Sequence, residues 1–511
     1  MTNSGTVTGL VTNSGTATNT GSFGGGLVND AGTTSNSGTI SNGVTVNGGT
    51  FTTTGTVLGG LTNAATTNAA GTVNGPVANS GTFTVTGALV GDGSVTNAAG
   101  GVLGIGGNSY TGATTVTNDG QITIGTGTLG AASVVNNAAV TIAGGTLQSN
   151  VTNSGSISGP GTVTGSLANT GSVSVQNGAT GNTFAVQGNY SGGGSLSVDV
   201  NTANGTSDKL VVGGTASGTT AVNFNVLGNG FVLALPVVQT GGAAGGTQFS
   251  GSVADFGNIS YAFVQQGNDW VLKSSLNSSF GPIASIGGAL ASVTSSFQQP
   301  ASSYVGDRSG TKPNDILCGT WARGDSGRLD TTTSSAVSSG GQAVGASSID
   351  QKIEYSGFQG GLDCGLLRVG GTNWNIHLGV TGGLIDGFVQ QAGVGKVDVE
   401  VPFYGAYAFF RNGGFVFDVS LRQEHTKAEF DIAQAGLDGR EVDGTSTSVA
   451  VYTSYAMALG KTNFTFTPYA GASWSHSELD AFDTFAGVNG ARVGRVSRTT
   501  PRRATGGSEF S

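Results

Sequence analysis

The sequence predicts an all-β protein with two architectures, a parallel β-helix in its N-terminal part and an antiparallel β-barrel in its C-terminal part. Glycine supplies 93 of the 511 residues, proline only 9, and 9% of residues are charged, against roughly 25% in ordinary soluble domains. Short runs with an apolar residue at every second position recur along the whole chain. A glycine-rich, charge-poor, alternating sequence is typical of many short strands joined by tight turns.

A chain of this length exceeds one compact core, so we expect several domains. Changes in strand length, charge and periodicity divide the chain into five segments. They are a β-helical repeat region (1–180), a junction that caps it (181–275), a linker helix (280–310), the barrel (315–498) and a tail outside the barrel (499–511).

The charges are few and unevenly placed. The net charge is −9, and residues 1–208 contain no Lys, Arg or His. This charge distribution argues against nucleic acid as a partner, because binding to phosphates needs cationic side chains. Residues 1–10 show neither the basic nor the apolar segment of a signal peptide, and no run of about 18 apolar residues predicts a membrane-spanning helix.

One phrase, Asn-(Ser/Thr)-Gly, recurs through the repeat region. Asn and Gly favour turns, and the short alternating runs between the phrases predict strands. Such a sequence is typical of a parallel β-helix with roughly 20–25 residues per coil, hence about eight coils in this region. A flexible Gly/Ser/Thr linker is the alternative, but it explains the regular Val, Ile and Leu less well. The phrases begin at Asn3, Asn13, Asn19, Asn36, Asn79, Asn153 and Asn169.

A single helix is predicted between the junction and the barrel. Ile286, Leu290, Val293 and Phe297 share one helical face, and Pro300 ends the pattern.

Long alternating runs predict about eight barrel strands in residues 315–498. Each run has about nine to twelve residues, enough to cross a bilayer at a tilt, and short connections alternate with long ones. In such barrels apolar side chains face lipid and polar ones face the lumen. We therefore expect the apolar row at 397–409 to face lipid. The acidic and basic side chains of the opposite rows should face the lumen; they are Asp398, Glu400, Asp418, Arg422 and Glu424.

Two short motifs in the first barrel strand suggest other functions. Gly324-Asp325-Ser326-Gly327 matches the phrase around a serine-protease nucleophile, but no His precedes His377, so a catalytic base is lacking. Arg323-Gly324-Asp325 is a weak candidate for an adhesion tripeptide. His377, His425 and His476 show no metal-ligand spacing, so we expect no metal, no cofactor and no enzymatic activity.

Two cysteines lie at equal distances from the centre of the first predicted hairpin, near residue 341. Cys318 and Cys364 should therefore be near-opposite on adjacent strands. They form a candidate disulfide in an oxidising compartment.

Several phrases of the chain resemble bacterial autotransporters of type V secretion. The resemblance implies a passenger displayed outside a Gram-negative cell, an autochaperone-like junction, a helix inside the barrel, and twelve barrel strands. It also implies contact with outer-membrane lipid, the barrel-assembly machinery and periplasmic chaperones. The phrases include GNYSGGGSLSVDV (188–200), WNIHLGVTGG (374–383), KVDVEVPFYGAYAF (396–409) and NGGFVFDVSLR (412–422).

We expect the passenger to be structural or adhesive, with an unidentified ligand on a host or neighbouring cell. Two alternatives remain at this point. One is a porin-like channel with a soluble β extension, and the other is an autotransporter whose enzymatic passenger lies upstream of Met1. A helix that plugs the barrel would favour display over the channel.

Overall fold

The structure is a computed structural model, and in it no helix of the described residues is long and apolar enough to cross a membrane. It divides into two compact units, Met1–Ala254 with Tyr261–Ser274, and Asp255–Ser260 with Ser275–Ser511. The residues that the structure describes are 1–242, 248–256, 259–277, 283, 286, 290, 293–294, 297–306, 312–339, 342–391, 394–458, 465–485, 492–496 and 502–509.

Short strands fill the first unit. Residues 1–180 form β1 (Thr2–Asn3), β2 (Thr6–Val7), β3 (Val11–Asn13), β4 (Thr16–Asn19), β5 (Ser22–Phe23), β6 (Leu27–Asn29), β7 (Thr33–Asn36), β8 (Thr39–Ile40), β9 (Val44–Val46), β10 (Thr50–Thr53), β11 (Thr56–Leu58), β12 (Leu61–Asn63), β13 (Thr66–Asn74), β14 (Val77–Asn79), β15 (Thr82–Gly91), β16 (Val95–Asn97), β17 (Val102–Gly106), β18 (Ser109–Asn118), β19 (Gln121–Ile124), β20 (Thr128–Asn136), β21 (Ala139–Ile142), β22 (Thr146–Asn153), β23 (Ser156–Ser158), β24 (Gly161–Val163), β25 (Leu167–Asn169) and β26 (Ser172–Ser174).

Eleven further strands follow. They are β27 (Thr183–Val186), β28 (Tyr190–Gly192), β29 (Ser195–Asn201), β30 (Thr206–Ser207), β31 (Lys209–Val212), β32 (Ala216–Gly218), β33 (Thr220–Gly228), β34 (Leu235–Thr240), β35 (Phe249–Ser250), β36 (Ile259–Gln266) and β37 (Asp269–Leu276).

The strands of the first unit stack in parallel, as a β-helix requires. One column runs through β1, β4, β7, β10, β13, β15, β17, β19, β21, β23 and β26. Equivalent residues of successive coils are 16–21 positions apart in residues 1–180. Most coils are thus shorter than expected, and this column has eleven levels rather than about eight.

Parallel stacking does not stop at residue 180. β27, β28 and β29 pair in parallel with β31, β32 and β33, so the junction continues the β-helix. Antiparallel pairing joins β34 to β37, at Leu235↔Leu272 and Pro236↔Val271. The change of architecture therefore comes later than the predicted boundary.

Buried asparagines explain the Asn-(Ser/Thr)-Gly phrase. Asn19 Nδ2 donates to Asn36 Oδ1 at 2.8 Å, and the same arrangement repeats from coil to coil. A longer column runs from Asn63 to Asn169 with Nδ2–Oδ1 distances of 2.7 Å. Its members are buried, and each amide also donates to a backbone carbonyl. Asn118 Nδ2, for example, donates to the Gly120 carbonyl oxygen in its own turn and to the Ala139 carbonyl oxygen on the next coil. The longer ladder consists of Asn63, Asn79, Asn97, Asn118, Asn136, Asn153 and Asn169.

The glycine of the phrase is required by close approach between coils. A Cβ on Gly38 would lie 2.1 Å from the carbonyl oxygen of Gly21, and one on Gly21 would lie 2.1 Å from that of Gly5. These stacked turns therefore favour glycine, although Ala65 and Ala138 occupy the equivalent position in other coils.

The second unit contains a second, antiparallel sheet. Its elements are β38 (Asp315–Ser339), β39 (Gln342–Leu367), β40 (Trp374–Gln391), β41 (Gly395–Asn412), β42 (Phe415–Ile432), β43 (Leu437–Tyr455), β44 (Met457–Ala458), β45 (Thr465–Phe466), β46 (Tyr469–Leu479), β47 (Phe482–Phe485), β48 (Arg492–Val496) and β49 (Arg502–Glu509), with short 3₁₀ turns at Ala301–Ser303, Val369–Gly371 and Ala433–Ala435.

Eight of these strands form one sheet in the order β38, β39, β40, β41, β42, β43, β46, β49. About eight strands were predicted within residues 315–498; seven of the strands in this sheet lie there, and the eighth is β49. Among the described pairings β38 and β49 are the two edges. The expected tail outside the barrel is wrong in part, because β49 pairs with β46 from Tyr469↔Glu509 to His476↔Arg502.

The strands are longer than a bilayer requires. β38 has 25 residues and β40 to β42 have 18 each. The alternation of the sequence leaves residues 327–352 and 431–445 to long connections, but much of both ranges is strand. We call the two ends of the sheet the Asp315 end and the Ser339 end, after the first and last residues of β38.

Most of the predicted helix lies outside the described residues. Ile283, Ile286, Leu290, Val293 and Thr294 are described and are helical, and each is buried.

Candidate functional site: the interior of the eight-stranded sheet

The outward face of the sheet is apolar toward the Asp315 end. Side chains there are exposed although they are large and hydrophobic, as expected of a surface that contacts lipid. The exposed set includes Ile316, Phe358, Leu362, Leu378, Val380, Tyr404, Leu421, Tyr455 and Trp474.

Toward the Ser339 end the outward face is charged and the inward face is apolar. On β41, Val397, Val399 and Val401 are buried, whereas Asp398 and Glu400 lie on the outward face. The expectation that the 397–409 row faces lipid, and that Asp398 and Glu400 face the lumen, is therefore wrong. The inward row has an apolar partner, which the alternation of one strand cannot reveal.

That partner is the segment from Ile283 to Phe297. Its described apolar side chains join one buried cluster with inward residues of six strands. The sheet members include Ile353, Ile385, Val389, Val397, Val401, Phe403, Ala428, Phe430, Val442 and Leu479.

Phe297 is held tightly in this cluster. Its ring centroid lies 6.1 Å from that of Tyr355 and 6.5 Å from that of Phe403. Gly357 leaves the space, since a Cβ there would lie 2.5 Å from Phe297 Cζ. The inner face of the sheet therefore has a pocket at Gly357 that the Phe297 ring fills.

Arg323 binds the end of the helical pattern. Its Nη2 donates to the Phe297 carbonyl oxygen at 2.7 Å, and its Nη1 donates to Gln299 Oε1 at 2.8 Å. Its Nε donates to Gln359 Oε1 on β39 at 2.7 Å. The guanidinium also lies over the Tyr304 ring, 4.5 Å from the centroid.

Arg422 makes a second, more deeply buried contact. Its Nη2 donates to the Thr294 carbonyl oxygen at 2.6 Å, and its Nε donates to Glu424 Oε1 at 2.7 Å. Glu424 is fully buried, so it offsets the charge of a cation that has left water. Cationic groups at carbonyls of a helix C-terminus complement the helix dipole.

Two more strand residues hold the segment after the helix. Tyr452 Oη donates to the Gln298 carbonyl oxygen at 2.6 Å, and Asp418 Oδ2 accepts from the Ser302 backbone amide at 2.8 Å. Four side chains on three strands thus bind main-chain groups between Thr294 and Ser302. We call Arg323, Asp418, Arg422 and Tyr452 the luminal clamp.

A polar network lies below the clamp, toward the Asp315 end. Trp321 Nε1 donates to Tyr407 Oη at 2.7 Å, and Tyr407 Oη donates to Asp363 Oδ1 at 3.3 Å. His377 Nδ1 lies 2.9 Å from Asp363 Oδ2, and both residues are buried. Tyr407 also packs with Ala301 and Val305, so the network supports the last part of the segment.

The predicted luminal residues Asp418, Arg422 and Glu424 do lie inside. Trp321 and Tyr407 were missed, although Trp321, Arg323 and Asp325 alternate in phase on β38 and could have indicated one inward row.

The structure argues against adhesion through Arg323-Gly324-Asp325. The tripeptide lies within β38, and the Arg323 side chain points inward onto Phe297 and Gln299. Ser326 of the protease-like phrase lies opposite Ser356 in the same hairpin. Within the described part of the chain, no group of three or more His, Cys, Asp or Glu side chains is arranged to hold a metal ion.

Comparison with known proteins bears on the same part of the chain. Residues 320–506 match the family model of the autotransporter beta-domain. A curated protein of Escherichia coli (strain K12), "Probable autotransporter YfaL", is 34% identical over 112 residues, which are 20% of this chain and 9% of that protein. The match thus spans a small part of that relative.

A solved structure is also similar. It is the β domain of the Bordetella autotransporter BrkA, with 21% identity over 38% of this chain and 69% of that one, at a TM-score of 0.28.

The family match extends past residue 498 to residue 506 and so includes the first part of β49, a strand that the sequence predicts to lie outside the barrel. Its residues form the sheet that encloses the buried segment. Residues 320–506 therefore belong to the autotransporter beta-domain family, whose domains anchor in the outer membrane.

Proposed function

We propose that this protein displays its own β-helix at the cell surface. The apolar band toward the Asp315 end of the sheet lies in the outer membrane, and the charged Ser339 end extends outside. The β-helical passenger is extracellular and is structural or adhesive rather than enzymatic.

The observation that carries this proposal is the filled interior of the sheet. The helical residues pack with Val397 and Phe430 in the Ser339 half, whereas Ala301 and Val305 pack with Tyr407 and Phe409. The segment therefore runs along the interior, and its N-terminal end lies in the Ser339 half. A chain that emerges there is on the outside in the proposed orientation.

A porin-like channel is the second candidate, and the luminal clamp weighs against it. Pores need an open aqueous path, but four side chains bind main-chain groups of the segment across the interior.

The partners follow from this role. Outer-membrane lipid contacts the apolar band, and the barrel-assembly machinery and periplasmic chaperones deliver the chain. The passenger comprises the repeat region (1–180) and the junction (181–275), in which the β34–β37 pairing closes the parallel stack. Its ligand would be a molecule on a host or neighbouring cell.

Protease treatment of intact cells tests the display. We expect the passenger to be digested, while a fragment that contains residues 315–509 stays protected until the membrane is permeabilised. A passenger protected in intact cells would contradict the proposal. Ion conductance of the purified chain in planar bilayers distinguishes the second candidate, since a stable, open, porin-like conductance would favour the channel.

A further inference from the structure

The first hairpin of the sheet carries a disulfide in a specific place. Cys318 and Cys364 are direct register partners, and their Sγ atoms are bonded. They form the fourth pair from the Asp315 end of the hairpin, after Asp315↔Leu367, Ile316↔Leu366 and Leu317↔Gly365. Both cysteines are exposed on the outward face.

Among the described strands, the disulfide ties β38 to its single strand partner. β38 is an edge of the eight-stranded sheet, and among the described strands it pairs only with β39. Its sequence also defines its register weakly, because Gly, Ser and Thr supply much of it. An edge strand of this kind can slip against its single partner.

Slippage of β38 would disable the luminal clamp. A slip of one residue would turn Trp321 and Arg323 to the outward face. A slip of two residues would keep the faces but would move Arg323 by about 7 Å along the strand. In either case Arg323 Nη2 could not reach the Phe297 carbonyl oxygen, from which it lies 2.7 Å away.

We propose that the Cys318–Cys364 disulfide is a register lock for this hairpin, formed by a thiol oxidant of the periplasm before the sheet inserts. The proposal rests on the proposed function, which places the Asp315 end at the periplasmic side. The partner is therefore a protein with a reactive disulfide that reaches exposed thiols in an extended chain.

The chemistry balances within this pair of proteins. The Cys318 thiolate attacks the oxidant's disulfide and forms a mixed disulfide, and one oxidant cysteine leaves as a thiolate. The Cys364 thiolate then attacks Cys318 Sγ and releases the second oxidant cysteine. Two thiols of this chain lose two electrons and two protons, and the oxidant becomes a dithiol.

Relocated disulfides test the lock in the full chain. Cys318→Ser with Cys364→Ser removes the lock, and we expect a several-fold smaller fraction of heat-modifiable, protease-protected β-domain. Adding Thr320→Cys and Leu362→Cys to that variant places a new disulfide at the next outward register pair and should restore the fraction. This variant is a matched control, because it differs only in where the same register is fixed.

The decisive variant fixes a wrong register. Cys318→Ser with Thr320→Cys leaves Cys364 to pair two residues out of register. We expect it to form less protected β-domain than the variant without cysteines. Equal folding of the unlocked, relocated and shifted variants would overturn the proposal, as would two free thiols in unfolded, unreduced wild-type protein. Passenger display by the wild type, measured in the same cells, tests the proposed function separately.

Discussion

The β-helix and the eight-stranded sheet bury polar groups in opposite ways. The β-helix buries uncharged amides and repeats one contact from coil to coil, as in the Asn63–Asn169 ladder. The sheet buries charges, and each charge has its own partner, such as Arg422 with Glu424 and the Thr294 carbonyl.

The difference shows which part of the molecule tolerates change. A repeated contact can lose one member, because its neighbours keep their other hydrogen bonds. When one member of a buried ion pair is removed, the other charge is left unpaired in a low-dielectric interior. We therefore expect substitutions in the clamp to be more damaging than substitutions in the ladder.

The largest effect is expected at Arg422. Its replacement by Ala leaves Glu424 buried without a cation, and this should cost about 3–5 kcal/mol of unfolding free energy. Urea unfolding of the chain in detergent micelles, followed by heat-modifiable mobility, measures it. Arg422→Ala with Glu424→Gln should recover part of the loss, and a double variant no better than the single one would contradict the pairing.

Gly357 should be the next most sensitive position. Gly357→Val places a side chain where Phe297 Cζ lies, and overpacking of this kind costs about 1–3 kcal/mol. The matched control is Gly324→Ala on the outward face of the neighbouring strand, where a Cβ would meet only the Gly357 carbonyl oxygen, at 3.7 Å. The same unfolding assay compares them, and equal effects would show that the interior is not filled as described.

A single ladder residue should matter somewhat less. Asn118→Leu leaves Asn136 Oδ1 without the Asn118 donor, and removes the acceptor of Asn97 Nδ2. Loss of one partner of a buried polar group costs about 1–3 kcal/mol. Asn137, exposed and next to Asn136, is the control, and its replacement by Ala should change stability by less than about 0.5 kcal/mol. Similar losses in both variants would mean that the ladder contributes little.

The junction should show a pH-dependent effect. Asp208 accepts from the Asn182 and Asp199 backbone amides, and burial raises its pKa above the usual 3.8. The folded state then keeps a proton that the unfolded chain releases, so its contribution to stability falls as pH rises through the folded pKa. Denaturation midpoints of the passenger transition between about pH 4 and pH 7 should fall more steeply in the wild type than in Asp208→Asn. If the denaturation midpoints of the two proteins had the same pH dependence, the raised pKa of Asp208 would not contribute to stability, contrary to this prediction.

The smallest effect is expected at Val46. It stands in register between Asn29 and Asn63 and interrupts their column. Val46→Asn should change stability by less than about 1 kcal/mol, since new hydrogen bonds offset the lost apolar burial. Val57→Asn, at an equally buried site outside the column, should cost about 2 kcal/mol or more. A large loss at Val46 would show that the column does not accept an amide there.

The sequence predicted the β-helical architecture of the repeat region but not the asparagine ladder that stabilises it. The phrase at Asn19-Thr20-Gly21 indicated turns and coils. The ladder could not be seen, because it depends on which residues come into register between coils of 16 or 17 residues. The number of residues in each coil follows from the spacing between asparagines that come into register, which is 16 residues from Asn3 to Asn19 and 17 from Asn19 to Asn36.

In the sheet, alternation predicted which residues share a face but not which face meets lipid. Apolar residues of β40 and β42 such as Leu378 and Leu421 do face outward, whereas the row at 397–409 faces inward. The apolar surface of the segment from Ile283 to Phe297 decides this, and a strand's own sequence carries no information about it. Arg323 was considered only for an adhesion tripeptide, because its partner, a main-chain carbonyl, has no sequence pattern.

The central claim is that the segment around Phe297 fills the interior of the sheet, and photo-crosslinking at that position tests it most directly. With benzoylphenylalanine in place of Phe297 in the full chain, in cells, the account predicts crosslinks to the peptides that contain Tyr355, Gly357 or Phe403. The same probe at Phe358, which is 59% exposed on the outward face, should give adducts with lipid instead. Lipid adducts at position 297, or no crosslink to β39 or β41, would contradict the account.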